Sequence, residues 1–272
     1  MLTNRSRQSQ RGVTLTELLV GMAVGLIVIG GAISIYVSTI QGSNSTLRAS
    51  KLNQELNALM SVIVNDVRRA GFWGDIDMNA LGDNPFSQSG ATALVVRDDM
   101  ASNTAQAATG QGSCIVYAYD ATYLAGNTPG TVETTDLFGF RLNGTVAQMR
   151  QVGVVDGTNC VGGSCTSCTN GTWADVTDPN LIEITQLTFD LANSMCLNGS
   201  EPDTVDDNGD GTVDDDAEYD CYTTVPAAGS GDVTIETREV TVTIAGRLAA
   251  DTATQASVTQ STRVRNDLVR TR

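Results

Sequence analysis

The sequence predicts an α+β protein in which one long amino-terminal helix, half membrane span and half amphipathic, packs on an antiparallel β-sheet body. Three observations predict it. Leu18 to Ile40 is an apolar run with no charged residue, long enough to cross the ~30 Å hydrocarbon core of a bilayer. Leu52, Leu56, Leu59, Ile63, Val67 and Ala70 then recur at three- and four-residue steps, with Gln54, Glu55, Asn57 and Asp66 between them as the polar face, the spacing of one buried helix face. Beyond Gly71 the pattern changes to short β-branched or alternating runs, which read as strands.

The elements follow in order. Residues 1–12 carry Arg5, Arg7 and Arg11 without an acid; basic residues before a span are retained in the cytoplasm, so the body is expected across the membrane. A cleaved secretory signal would have an apolar core of roughly 7–15 residues and a small-x-small cleavage site after it. The run here is longer, and Glu17 stands at its start. The helix is expected over 13–70, about 87 Å at 1.5 Å per residue, with residues 13–40 as span and 41–71 as amphipathic continuation. Gly71 is its stop. Gly21, Gly25, Gly30 and Gly31 lie inside the span, where glycines let helices approach closely. Strands are expected at 92–97, 114–119, 137–142, 145–152, 181–191, 238–248 and 257–265, within a body of residues 72–272. Val240, Val242 and Ile244 alternate with Thr, as one buried sheet face requires. Asn143–Gly144 marks a hairpin, and 98–112 reads as an exposed loop.

Glu17 raises a physical question. A lone carboxylate in hydrocarbon costs on the order of 2.5–3.5 kcal/mol on insertion scales and is expected to have a partner. The stretch RGVTLTELLVG (11–21) resembles the class III signal of type IV prepilins. The resemblance implies that a dedicated aspartic membrane peptidase, the prepilin peptidase, cuts between Gly12 and Val13 and methylates the new amine of Val13. Glu17 is then the fifth residue of the mature chain. It would neutralise the Val13 amine of a neighbouring subunit and set axial register in a filament. That family most often has Phe after the cut, where this chain has Val13, and Thr16 replaces a commoner apolar residue.

Further likeness runs along the body. NDVRRAGFWGD (65–75), CIVYAYD (114–120), LFGFRLNG (137–144), ITQLTFDL (184–191), REVTVTIAGR (238–247) and STRVRND (261–267) resemble the PilW-like minor pilins. This implies a pilin-like fold and a non-catalytic role beside other minor pilins and the major pilin. The expected role is priming of pilus assembly, at the filament tip, in support of adhesion, twitching motility or DNA uptake. The expected places are the inner membrane, with the body in the periplasm, and then the pilus. Phe72, Trp73, Tyr117 and Tyr119 read as core residues.

Composition narrows the alternatives. Asp and Glu outnumber Lys and Arg 31 to 16, for a net charge of −15, which argues against a general polyanion-binding surface. Arg263, Arg265, Arg270 and Arg272, with Arg68 and Arg69, are basic clusters, but strand-edge solubility and acid pairing account for them. The chain has no histidine, so the commonest general base and transition-metal ligand are missing. No nucleophile motif such as GxSxG is present, and a membrane-anchored enzyme is not expected. A J-type pseudopilin of type II secretion would share the same amino-terminal chemistry.

Six cysteines, Cys114, Cys160, Cys165, Cys168, Cys196 and Cys221, lie in Gly- and Asn-rich surroundings. They are read as disulfides of an oxidising compartment rather than a zinc site, since CVGGSCTSC lacks a second CxxC. They allow 15 connectivities; Cys196–Cys221 is the pairing expected, flanking an acidic loop at 203–220. In that loop Asp206, Asn208, Asp210, Gly211 and Asp214 follow the spacing of a calcium loop. The candidate ligands are Asp206, Asn208, Asp210, Thr212 (by its carbonyl), Asp214 and Asp216. Ala217 stands where a bidentate acid belongs, and no helix pattern flanks the loop. A solvated acidic loop is the plain alternative.

Overall fold

The computed structural model describes residues 12–74, 84–86, 92–121, 132–153 and 166–272. The leader arginines Arg5, Arg7 and Arg11, together with Cys160 and Cys165, lie outside these residues. The chain divides into two compact units, Met1–Arg48 and Ala49–Arg272.

Helix α1 runs Leu15–Val67. Up to Arg48 it belongs to the first unit, where its apolar side chains pack on nothing: Leu26 is 71% exposed and Ile27 74%. Its apolar side chains are exposed all round and residues 18–40 carry no charge, so the helix is long and apolar enough to cross a membrane. Gly21, Gly25, Gly30 and Gly31 have open space around them.

The second unit opens with the amphipathic end of α1. Leu52, Leu56, Leu59, Met60, Ile63, Val64 and Val67 are buried, each burial worth about 1.5–3 kcal/mol relative to exposure. The helix ends at Val67, three residues short of the expected Ala70, and residues 68–71 form turns. Gly71 takes φ +72°, a conformation that suits glycine, and its N–H donates to the Ala118 carbonyl at 2.8 Å.

The described body contains twelve strands in three antiparallel sheets. They are β1 (Val95–Arg97), β2 (Gln111–Gly112), β3 (Cys114–Ala118), β4 (Leu137–Asn143), β5 (Val146–Val152), β6 (Thr172–Asp175), β7 (Ile182–Asp190), β8 (Met195–Asn198), β9 (Val233–Thr237), β10 (Glu239–Leu248), β11 (Asp251–Arg263) and β12 (Leu268–Thr271). The sheet orders are β1-β3-β4-β5-β6, β11-β10-β7-β2 and β12-β9-β8. A one-turn helix α2 (Asp216–Tyr219) lies between β8 and β9. The main core joins the buried face of α1 to Ile184, Leu187 and Phe189 of β7, Val240, Val242 and Ile244 of β10, and Ile115 and Phe140 of the first sheet. β10 alternates buried and half-buried positions along its whole length, as its Val/Thr pattern requires.

Four expectations are corrected, the first being that Phe72 is core: it is 42% exposed. The β4–β5 hairpin turns at Gly144–Thr145, because Asn143 pairs with Val146 and Gly144 supplies φ +61° at the first turn position. Segment 98–112 is not wholly loop: Ala105 bridges Arg97, and β2 pairs with the end of β7. Asp66 does not sit on the polar face of α1. It is 4% exposed and accepts from Tyr117 Oη and from Tyr119 Oη (3.0 Å), and it pairs with Arg69. The two tyrosines are core residues with a buried carboxylate as their polar partner, and burial together with Asp66 raises the Tyr117 phenol.

Two disulfides join described residues. Cys114–Cys168 ties β3 to the segment before β6, and Cys196–Cys221 ties β8 to the segment after α2. Around the first, Arg97 Nε donates to Thr166 O, Arg150 Nη2 to Ser167 O, and Arg141 Nη1 to Cys168 O at 2.5 Å. These guanidinium donors supply the backbone pairing that 166–168 lacks as an irregular segment. Burial, then repulsion from Arg141 and Arg97, pushes Arg150 down to about 10.

Candidate processing and assembly site

The scissile position expected from the sequence lies in the first unit. Gly12, Val13 and Thr14 are not helical, and α1 begins at Leu15. Thr14 ends the non-helical segment by capping. Its N–H and its Oγ1 both donate to Glu17 Oε2, at 3.1 and 2.9 Å, and the Glu17 N–H donates back to Thr14 Oγ1 at 3.3 Å. This reciprocal pair is a capping box, which satisfies helix N–H groups that have no intrahelical acceptor. The Gly12–Val13 bond therefore stays in non-helical, exposed backbone two residues before the helix. Glu17 is not a lone carboxylate: Thr14 holds one of its oxygens. The other, Oε1, has no hydrogen bond among the described residues. The T-x-x-E spacing of residues 14–17 carried this signal, and Thr14 was the residue that sequence reasoning passed over.

The acidic loop is the second candidate. Its sequence-derived ligands are largely occupied with the loop's own turns. Asp206 accepts from Gly209, Asp210 and Gly211 N–H, at 2.7, 3.2 and 2.9 Å. Asn208 Oδ1 accepts from Asp210 N–H and Asp210 Oδ1 from Thr212 N–H, both at 2.8 Å. Asp214 Oδ1 accepts from Asp203 and Thr204 N–H. Asp216 starts α2, which Asp215 caps, so a helical turn does close the loop, contrary to expectation. The carboxylates that converge are others. Glu201, Asp203 and Asp207 form one set, and Glu201, Asp214 and Glu218 another, each with oxygens within 4.8 Å of one another. Of the expected ligands only Asp214 belongs to either set. Glu218 is fully buried and accepts from Asp207 and Asn208 N–H. Burial and the neighbouring Asp203 push Glu201 up to about 6, with Asp207 and Glu218 adding to the effect. The donor set is all oxygen, which fits a hard cation such as calcium. The sequence assigned no ligand role to Glu201, Asp203, Asp207 and Glu218, since none of them stands at a ligand position of the spacing template.

An exposed apolar helix, a non-helical segment before it where the sequence expects the cut, and an antiparallel sheet body packed on its amphipathic end define the class of a type IV pilin-like protein. Comparison with known families bears on both parts. The prokaryotic N-terminal methylation motif matches residues 7–33, and the family described as prepilin peptidase-dependent protein B matches residues 45–264. The chain belongs to the prepilin peptidase-dependent protein B family. Its amino-terminal part combines a prepilin signal with an apolar helix long enough to cross a membrane. No curated protein and no solved structure matches it.

Proposed function

We propose that this protein is a minor pilin, cleaved between Gly12 and Val13, methylated on Val13 and drawn through α1 into a type IV filament. The observation that carries the reading is the capped start of α1: Thr14 fixes where the helix begins and leaves Glu17 Oε1 open. Cleavage creates an ammonium on Val13, and Glu17 Oε1 accepts the Val13 amine of an adjoining subunit. Buried in lipid or in a filament core, such a charge-assisted pair is worth far more than at a wet surface. The exposed apolar helix surface finds its partners among the helices of other minor pilins and the major pilin. With these the protein primes assembly near the filament tip, its body in the periplasm before export, and its role is non-catalytic. The PilW-like body motifs support placement in a pilus rather than a secretion system. A deletion strain carrying the Glu17→Gln chain tests this: the substitution keeps shape and loses charge. Surface filaments and their content of this protein are expected to fall at least tenfold against the wild-type chain. Unchanged incorporation would contradict the reading.

We also propose that the acidic loop binds calcium. Support comes from the two oxygen-only sets that share Glu201. Glu201, Asp214 and Glu218 are the residues assigned to hold it, and an ion there would neutralise carboxylates that now face one another. A calcium-dependent rise in the melting temperature of the full chain is the expected sign; its absence removes the assignment.

A further inference from the structure

The three-stranded sheet β12-β9-β8 buries a charged face. Glu236 of β9 is 3% exposed and stands between two guanidinium groups. Arg238 Nη2 donates to its Oε2 at 2.6 Å, and Arg270 Nη1 lies 3.2 Å from its Oε1. Both arginine side chains are mostly covered, at 13% and 20% exposure. Arg238 Nη1 is further fixed on the Ala108 carbonyl at 3.0 Å. For Arg270 the Glu236 contact is the one its guanidinium makes among the described residues. A guanidinium offers five N–H donors, so most of those of Arg270 remain free.

These two arginines line a cavity of about 150 Å³. Its other walls include Leu94, Val96, Ala107 and Leu191, and no carboxylate lines it among the described residues. One acid between two guanidinium groups leaves a net positive charge in a half-enclosed, largely apolar place. A buried charge without a partner is expensive and is normally matched by an anion. The setting sharpens the contrast, because the chain as a whole carries −15 and its field repels anions elsewhere. Burial lowers the Arg270 guanidinium, and Arg272 and Arg238 add to that against the pull of Glu236.

We propose that the Arg238–Arg270 cavity is a binding site for a carboxylate on a short apolar stem. The Arg270 guanidinium, held by Glu236 through Nη1 alone, presents paired donors to a carboxylate on its free edge, Arg238 adds its charge beside it, and the aliphatic wall takes the stem. A space of about 150 Å³ suits a small guest. Two sources share this chemistry: a free short-chain carboxylic acid, or the side chain of a Glu offered by another polypeptide. The site does not depend on the filament reading.

The full chain in non-ionic detergent, labelled with ¹⁵N-arginine, provides the test. Sodium propionate is titrated against sodium chloride at matched ionic strength while the Nε–H resonances of Arg238 and Arg270 are followed. Saturable shifts of both with propionate, and none with chloride, are expected. Arg270→Gln should weaken binding at least tenfold, and Leu94→Phe, which fills the cavity and keeps both charges, should do the same. A Glu-bearing peptide that binds tighter than propionate assigns the source to a polypeptide, and propionate tighter than the peptide assigns it to a free acid. Shifts in the wild-type chain that fail to saturate, or that chloride reproduces, overturn the site without recourse to any variant.

Discussion

Glu17 shows how one side chain serves a folding need and leaves an assembly need open. Its Oε2 closes the capping box with Thr14, and an N-cap Thr contributes about 1 kcal/mol. That local bond lowers the cost of carrying a carboxylate at the head of an apolar helix without using up the group. Glu201 presents the opposite situation, an acid crowded by acids. Its folded value of about 6 lies above the ordinary carboxylate range, so the native loop holds more proton than the unfolded chain between about pH 4.5 and 6. Its contribution to stability therefore falls as pH rises through that window, and a bound cation reverses the penalty by replacing the proton. Calorimetric titration of the full chain with calcium should give a dissociation constant of ~10⁻⁴–10⁻³ M at pH 7, weakening clearly at pH 5 where Glu201 is protonated. Equal affinity at the two pH values would remove Glu201 from the site.

At the scale of elements, α1 is one helix with two kinds of environment, and substitution should separate them. Ile63 has no exposed surface and belongs to the main core, so Ile63→Ala is expected to cost ~2–5 kcal/mol. Ile27 is 74% exposed, so Ile27→Ala should change stability by less than ~0.5 kcal/mol. Denaturant melts of the full chain in detergent check both, and equal effects would contradict the division. What the sequence made legible follows the same logic. The 52–70 face of α1, the alternation of β10 and the β4–β5 hairpin were readable because apolar residues lie inside and polar ones outside, or because a glycine marks the turn. β8 and β9 were not readable, because their polarity is inverted. Asn198, Thr234 and Glu236 are buried, while Met195 and Leu197 are 67% and 50% exposed. Arg238 and Arg270, not apolar neighbours, balance that buried face. Asp66 escaped for a related reason: its partners Tyr117 and Tyr119 lie 51 and 53 residues away. In the acidic loop the spacing template drew attention to Asp206, Asn208 and Asp210, whose side chains the loop's own N–H groups occupy. The convergent oxygens come from Glu201 and Glu218, on either side of the template, with Asp203, Asp207 and Asp214.

The whole molecule joins an apolar helix to a disulfide-held β body, and two family models match it, one on the methylation motif and one on most of the body. Glu17, the capped helix start and the exposed span acquire a common purpose only if the bond between Gly12 and Val13 is cut. The most direct measurement is mass spectrometry of the amino terminus of this protein, taken from cells with and without the prepilin peptidase. A mature chain beginning at N-methylated Val13 in the first, and the uncut leader in the second, is the predicted result. An uncut leader still beginning at Met1 in peptidase-competent cells would contradict it.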